Sequence, residues 1–142
     1  YSALMVMERE YGRDKMRRFL KYELDRYLAS RISERVEELP LALNENQQYV
    51  HYNKGSVVFY ALRDAVGEDT LNRILAQFLR DWGFKGPPYP TTRDFMAALY
   101  AGTEEKHHPL IRDLFERIVF WDPRVTTGHN LFGEVADDLA EL

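Results

Sequence analysis

An all-α fold is predicted by three features of this 142-residue chain. Six stretches repeat apolar residues at three- and four-residue steps, the spacing that gathers side chains on one helical face. Almost no run alternates apolar and polar residues, as a half-buried strand would. Glycine or proline punctuates the joints between most of the helical stretches, where helices have to stop or restart.

Residues 1–11 open with Tyr1, Ala3, Leu4, Met5, Val6 and Met7, with no Ser, Asp, Asn or Pro start signal ahead of them. A helix that begins without such a signal is expected to continue upstream of Tyr1, as in a piece of a longer protein. Gly12 supplies a stop, and Asp14 places a carboxylate near the start of the next helix, where exposed amides favour it. That helix is predicted to run to about residue 29, with Met16, Phe19, Leu20, Leu24, Tyr27 and Leu28 on its core face. From residue 30 to 48 the periodicity fails, and Leu39-Pro40-Leu41 and Asn44-Glu45-Asn46 predict a long ordered loop. Loops of this length inside a compact domain are uncommon and often functional, which draws attention to Tyr49-Val50-His51-Tyr52 at its end.

Helix is expected to resume near Asn53, with Val57, Val58, Ala61, Leu62, Ala65 and Val66 inward and Gly67 as its stop. Glu68 and Asp69 open a fourth helix carrying Leu71, Ile74, Leu75, Phe78, Leu79 and Trp82. Gly86-Pro87-Pro88-Tyr89-Pro90 is a stiff connector without helical donors. Thr91 and Asp94 have capping-box spacing ahead of a fifth helix ending at Gly102. Pro109 suits the first turn of a sixth, whose stripe is Leu110, Ile111, Leu114, Phe115, Ile118 and Val119 and whose end is predicted at Asp122-Pro123. Residues 1–122 therefore form one helical unit, and residues 123–142 read as an irregular tail with room for a terminal helix.

Composition narrows the function. Nineteen Lys and Arg against twenty-three Asp and Glu give a net charge of −4 with no basic block, which argues against a general nucleic-acid binder. The absence of cysteine excludes disulfides, thiolate nucleophiles and Cys-based zinc sites. No apolar run approaches the roughly 18 residues of a membrane span, so any membrane link is expected outside these residues.

Zinc hydrolysis needs converging ligands, usually two histidines one helical turn apart, and His51, His107, His108 and His129 contain no such pair. Adjacent His107 and His108 diverge on a helix and read as a solvated helix start. His51 reads equally well as a site-lining or a structural residue. None of Ser2, Ser30, Ser33 and Ser56 sits in a nucleophile-elbow pattern, and the glycines form no phosphate loop. The carboxylate pairs Glu37-Glu38, Glu104-Glu105 and Asp137-Asp138 read as solvated surface, because neighbouring residues do not face a common point. Lys54 sits near a helix start, where amide dipoles disfavour a cation, so a buried carboxylate or a peptide carboxylate is expected to compensate it. Gly55 is expected to permit close packing or a tight helix start.

One segment goes beyond generic helix: Tyr49-Val50-His51-Tyr52-Asn53-Lys54-Gly55-Ser56, then a helix, Gly67-Glu68-Asp69 and another helix. It resembles the Tyr-x-Lys-Gly segment of the gluzincin zinc aminopeptidases, the aminopeptidase N-like family. The opening Tyr1-Ser2-Ala3-Leu4, the Met16-Arg17-Arg18-Phe19-Leu20 helix and Asp113-Leu114-Phe115-Glu116 follow in the family's order, so the resemblance spans nearly all of residues 1–122. Within the family the chain looks most like bacterial members joined to an ABC-type permease-like membrane segment.

The resemblance implies the helical half of a thermolysin-like catalytic domain. It implies zinc as the parent protein's cofactor, held by a His-Glu-x-x-His helix and a glutamate upstream of Tyr1, so that this chain alone neither holds catalytic zinc nor cleaves peptides. It implies peptide substrates, the remainder of the catalytic domain as partner, and no nucleic acid. Tyr52 takes the role of transition-state donor, because a phenol is protonated near neutrality and donates a strong hydrogen bond to a developing oxyanion. Tyr49, His51 and Lys54 are its candidate substrate-binding neighbours. Two other readings stand beside this one: a helical peptide-binding or assembly module beside a permease, and an autonomous helical interaction domain.

Overall fold

A computed structural model of the chain describes residues 1–118, and among them every regular element is helical. The helices are α1 (Ser2–Tyr11), α2 (Arg13–Ser33), α3 (Gly55–Val66), α4 (Glu68–Trp82), α5 (Thr92–Gly102) and α6 (His108–Glu116). A π-helix, Tyr49–Lys54, runs directly into α3, and single 3-10 turns lie at Leu41–Leu43 and Glu105–His107. The expected tail, residues 123–142, and the expected core residue Val119 lie outside the described residues.

The glycine stops at Gly12 and Gly67 and the capping box at Thr91 are where the sequence places them. Gly12 and Gly67 have φ of 82° and 89° with extended ψ, a region that strains any residue with a Cβ. Each donates its amide to the helix behind, Gly12 to Glu8 O at 2.9 Å and Gly67 to Arg63 O at 2.8 Å. Each also lends its carbonyl to the helix ahead, through the amides of Met16 and Leu71. At α5 the capping box forms: Asp94 accepts from both the amide and the hydroxyl of Thr91, each at 2.7 Å. These bonds hold the Asp94 carboxyl below the usual carboxylate range.

Two packed layers result, one of α3 to α6 and one in which α1 and the π-helix pack against α2. Helices α3 to α6 bury Val58, Leu62, Leu71, Ile74, Met96, Leu99, Ile111, Leu114 and Phe115 in one apolar core. Phe59, Phe95 and Phe115 meet at its edge with centroid separations of 5.5 to 6.4 Å. Helices α1 and α2 add Leu4, Met5, Met16 and Leu20 against Tyr60 of α3. Arg63 ties α3 to α1, lying 4.0 Å over the Tyr60 ring and bonding Glu8 at 2.6 Å.

Several predicted boundaries move. Helix α2 continues to Ser33, and its buried stripe is Met16, Leu20 and Tyr27, whereas Phe19 and Leu28 are exposed. Residues four and seven apart share one narrow stripe, along which Met16 and Leu20 pack with Leu4, Met5 and Tyr60, and Tyr27 packs with Tyr49 and Val50. In α4 the first turns supply the fully buried residues Leu71 and Ile74, while Leu79 faces outward. Helix α6 stops at Glu116, well before Asp122-Pro123, because Arg117 is extended, and Ile118 is exposed. Helical backbone resumes at Tyr49, earlier than Asn53, in the wider π winding.

Candidate active site

The segment between α2 and α3 has little regular backbone bonding of its own, so side chains have to hold it. Gln47, nearly buried, accepts from the Leu39 amide at 3.0 Å and from the Asn44 side chain at 2.9 Å, and donates to Glu37 O at 3.2 Å. The amides of Val50 and His51 bond Gln47 O and start the π-helix. One side chain and one carbonyl therefore staple the loop to the element that follows it.

Glu38 is the second anchor, and it overturns the reading of Glu37-Glu38 as solvated surface. Glu38 is only 4% exposed. Its carboxylate accepts from the Tyr27 hydroxyl at 2.7 Å and from the Lys54 ammonium, and it forms an ion pair with Arg31, whose Nε lies 3.2 Å away. A buried carboxylate is stable only with such partners. Burial first, and then the bond to Glu38, push the Tyr27 phenol far above its ordinary range.

The π-helix holds the four candidate site residues and separates them. Lys54, 4% exposed, pairs with Glu38 and lies 5.6 Å from the Tyr27 ring centre, so the buried carboxylate is the partner expected for it and the cavity is not its destination. Tyr49 stacks on Tyr27 with ring centres 5.9 Å apart and its hydroxyl faces Gln47, so it too does not line the cavity. Burial, followed by the nearby carboxylates of Glu38 and Glu34, raises the Tyr49 phenol above its usual range. His51 and Tyr52 both line the cavity.

His51 Nε2 is 2.8 Å from Asn44 O. A carbonyl only accepts, so Nε2 carries the hydrogen of this bond. Asn53 is anchored to Glu23 of α2 at 2.6 Å, and Val50 is wholly buried. Tyr52 stands apart from these neighbours. Its backbone carbonyl is engaged by the Ser56 hydroxyl at 2.6 Å, yet its side chain is 71% exposed and its own hydroxyl has no hydrogen-bond partner among the described residues.

The cavity beside it has a volume of about 410 Å³. Leu41, Ala42, Phe59, Phe95 and Phe115 give it apolar walls, and His51, Tyr52, Ser56 and Thr92 contribute polar groups. Tyr1, at the start of α1, lines the same space. Gly55 also borders it, with ordinary helical φ and ψ of −57° and −40°. A Cβ there would lie 3.6 Å from Val50 O and 3.9 Å from Leu41 Cδ1, both normal contacts, so the close packing expected of this glycine is not what requires it. Among the described residues no group of three His, Asp or Glu side chains is placed to hold a metal ion.

Periodicity could not have shown Glu38, Gln47 or the phenylalanine wall as one assembly. The available signal for Glu38 was the misplaced cation at Lys54, which called for a carboxylate without saying which. Comparison of the chain with family models, curated proteins and solved structures yields no match. Among the described residues no helix is long and apolar enough to cross a membrane.

Proposed function

We propose that this chain is the helical wall of a zinc aminopeptidase-like catalytic domain, in which the Tyr52 hydroxyl donates to the oxygen that becomes negative as a peptide carbonyl is attacked. The observation that supports this reading most is the contrast within the π-helix. Tyr49, His51, Asn53 and Lys54 all have side-chain partners, while the Tyr52 hydroxyl has none among the described residues and faces a cavity. A phenol on an anchored backbone, with no partner of its own among the described residues, is available to donate to a ligand.

Tyr1 and Tyr52 border the same cavity, so a helical turn preceding Tyr1 would approach the face that carries Tyr52. On this reading the zinc ligands belong to that upstream region, and the ion would there activate water and polarise the carbonyl. The residues of this chain contribute binding and orientation. The phenylalanine wall excludes water and accepts apolar substrate groups, while Tyr52 donates one hydrogen bond that strengthens as charge builds on the carbonyl oxygen. Peptide substrates and the rest of the catalytic domain are the partners this implies, with a permease-like membrane segment in the parent protein.

The test compares wild type and Tyr52→Phe in a zinc-loaded protein extended upstream through the full catalytic domain, using an aminoacyl anilide. Loss of an oxyanion donor lowers kcat by about 100- to 1000-fold with zinc content and folding unchanged. Equal rates would remove Tyr52 from the chemistry. A folded protein that neither binds zinc nor turns over substrate would instead favour a non-catalytic peptide-binding or assembly module.

A further inference from the structure

We propose that Glu38 is a positioning residue for Tyr52, fixing the π-helix against α2 so that the one unpartnered hydroxyl of that segment stays at the cavity. Glu38 lies in the irregular stretch before the 3-10 turn, outside both elements it joins. From α2 it takes the Tyr27 hydroxyl and Arg31 Nε, and from the π-helix it takes the Lys54 ammonium. Lys54 is two residues from Tyr52, on the last turn before α3.

The neighbouring ties all converge on the same contact. Tyr49 stacks on the Tyr27 ring whose hydroxyl Glu38 holds, and Asn53 is bound to Glu23 of α2. Gln47 joins Leu39, the residue after Glu38, to the start of the π-helix. Substitution of Glu38 thus removes the shared acceptor of this contact and leaves the apolar core of α3 to α6 intact, since no residue of that core touches it through a hydrogen bond or ion pair. A π-helix has wider, less favourable hydrogen-bond geometry than the α-helix it enters, so it depends on such outside support. The structural part of this inference stands without the peptidase reading, whereas its consequence for turnover rests on that reading.

The first measurement is amide hydrogen exchange by NMR in the 142-residue chain, comparing wild type, Glu38→Gln and Glu38→Asp. Expected in Glu38→Gln is exchange at least about tenfold faster for amides of residues 50–55, with amides of Leu71, Leu99 and Ile111 within about twofold of wild type. Glu38→Asp should recover part of the protection. Unchanged exchange at 50–55, or equal acceleration throughout, overturns the proposal. Should Glu38→Gln fail to fold, Tyr27→Phe removes one donor while keeping the stacked ring, and the same selective pattern at reduced size is required of it.

The second measurement uses the extended, zinc-loaded protein. Glu38→Gln should lower kcat, and the Glu38→Gln/Tyr52→Phe double variant should fall no further than Tyr52→Phe alone, because both changes act through one hydroxyl. Additive losses would overturn the positioning role. Inactivity of every variant, wild type included, would count against the peptidase reading, and the exchange pattern would still decide whether Glu38 fixes the π-helix.

Discussion

The α3 to α6 layer and the α2 to π-helix layer are built from different forces. The first packs leucine, isoleucine and phenylalanine into a continuous core. The second has a small apolar cluster of Tyr27, Tyr49 and Val50, with a carboxylate and an ammonium buried beside it. Apolar packing is tolerant of direction, so it gives stability without fixing one side chain relative to another. Hydrogen-bonded charges are directional and costly when misaligned, so they give less net stability and more definition. The candidate active residue emerges from the second layer and faces a wall made by the first.

The largest effect that would break this comparison comes from removing one charge of the buried pair. Lys54→Met leaves Glu38 in a dry setting with one cation fewer, and a broken buried pair costs about 3–5 kcal/mol. The double variant Glu38→Met/Lys54→Met should recover much of that loss in denaturant melts, because no uncompensated carboxylate remains and Arg31 is partly solvent-accessible. In the other layer, Leu99→Ala, at a fully buried position, should cost about 2–5 kcal/mol with no partner substitution that restores it by charge. A double variant no more stable than Lys54→Met would mean that the ion pair itself, rather than the stranded carboxylate, stabilises this layer.

The same division decides what the sequence could reveal. The apolar layer is legible because core residues recur at helical spacing and because Gly67, the Thr91–Asp94 box and Pro109 have local physical reasons to lie at helix ends. The polar layer is mostly hidden. Burial of Glu38 depends on donors eleven and sixteen residues away on two elements, and no local pattern distinguishes it from its neighbour Glu37. A π winding has no apolar repeat in six residues, so the start of helical backbone at Tyr49 read as the end of a loop. Tyr52 was singled out only by its resemblance to a family motif, and the partnering that sets it apart from Tyr49 and Lys54 follows from the folding of the π-helix against α2.

A smaller effect sharpens the comparison through pH. Tyr27 and Tyr49 in the polar layer and Tyr60 against α1 all have phenols raised above the ordinary value of about 10, with burial as the leading cause. A group whose folded value is raised contributes stability that is fully present below its unfolded value and is lost as pH rises through the folded one. Stability should therefore hold up to about pH 10 and decline above it, and absorbance titration of the folded chain should show a late class of tyrosines that merges with the rest in denaturant. Glu38→Gln removes a carboxylate that raises both Tyr27 and Tyr49, so it should move part of that late class to lower pH. A titration unaltered by Glu38→Gln would remove the carboxylate from the causes of the shift.

The smallest effect concerns Gly55, where the two layers meet. Its backbone is ordinary right-handed helix and a Cβ finds normal contacts, so alanine there should stabilise by about 0.5–1 kcal/mol through reduced freedom of the unfolded chain. In a chain of this size that is a rise of a few degrees in Tm. Because Gly55 borders the cavity, Gly55→Ala would, on the proposed peptidase reading, also separate folding from chemistry in the extended protein. A higher Tm with reduced turnover would mean that the glycine of the Lys-Gly pair keeps space for substrate at a cost in stability. A higher Tm with unchanged turnover would make it neutral to the site. A lower Tm would mean that Leu41 and the Val50 carbonyl are held too firmly by the polar layer to yield even to an ordinary contact, extending that layer's rigidity to the first residue of α3.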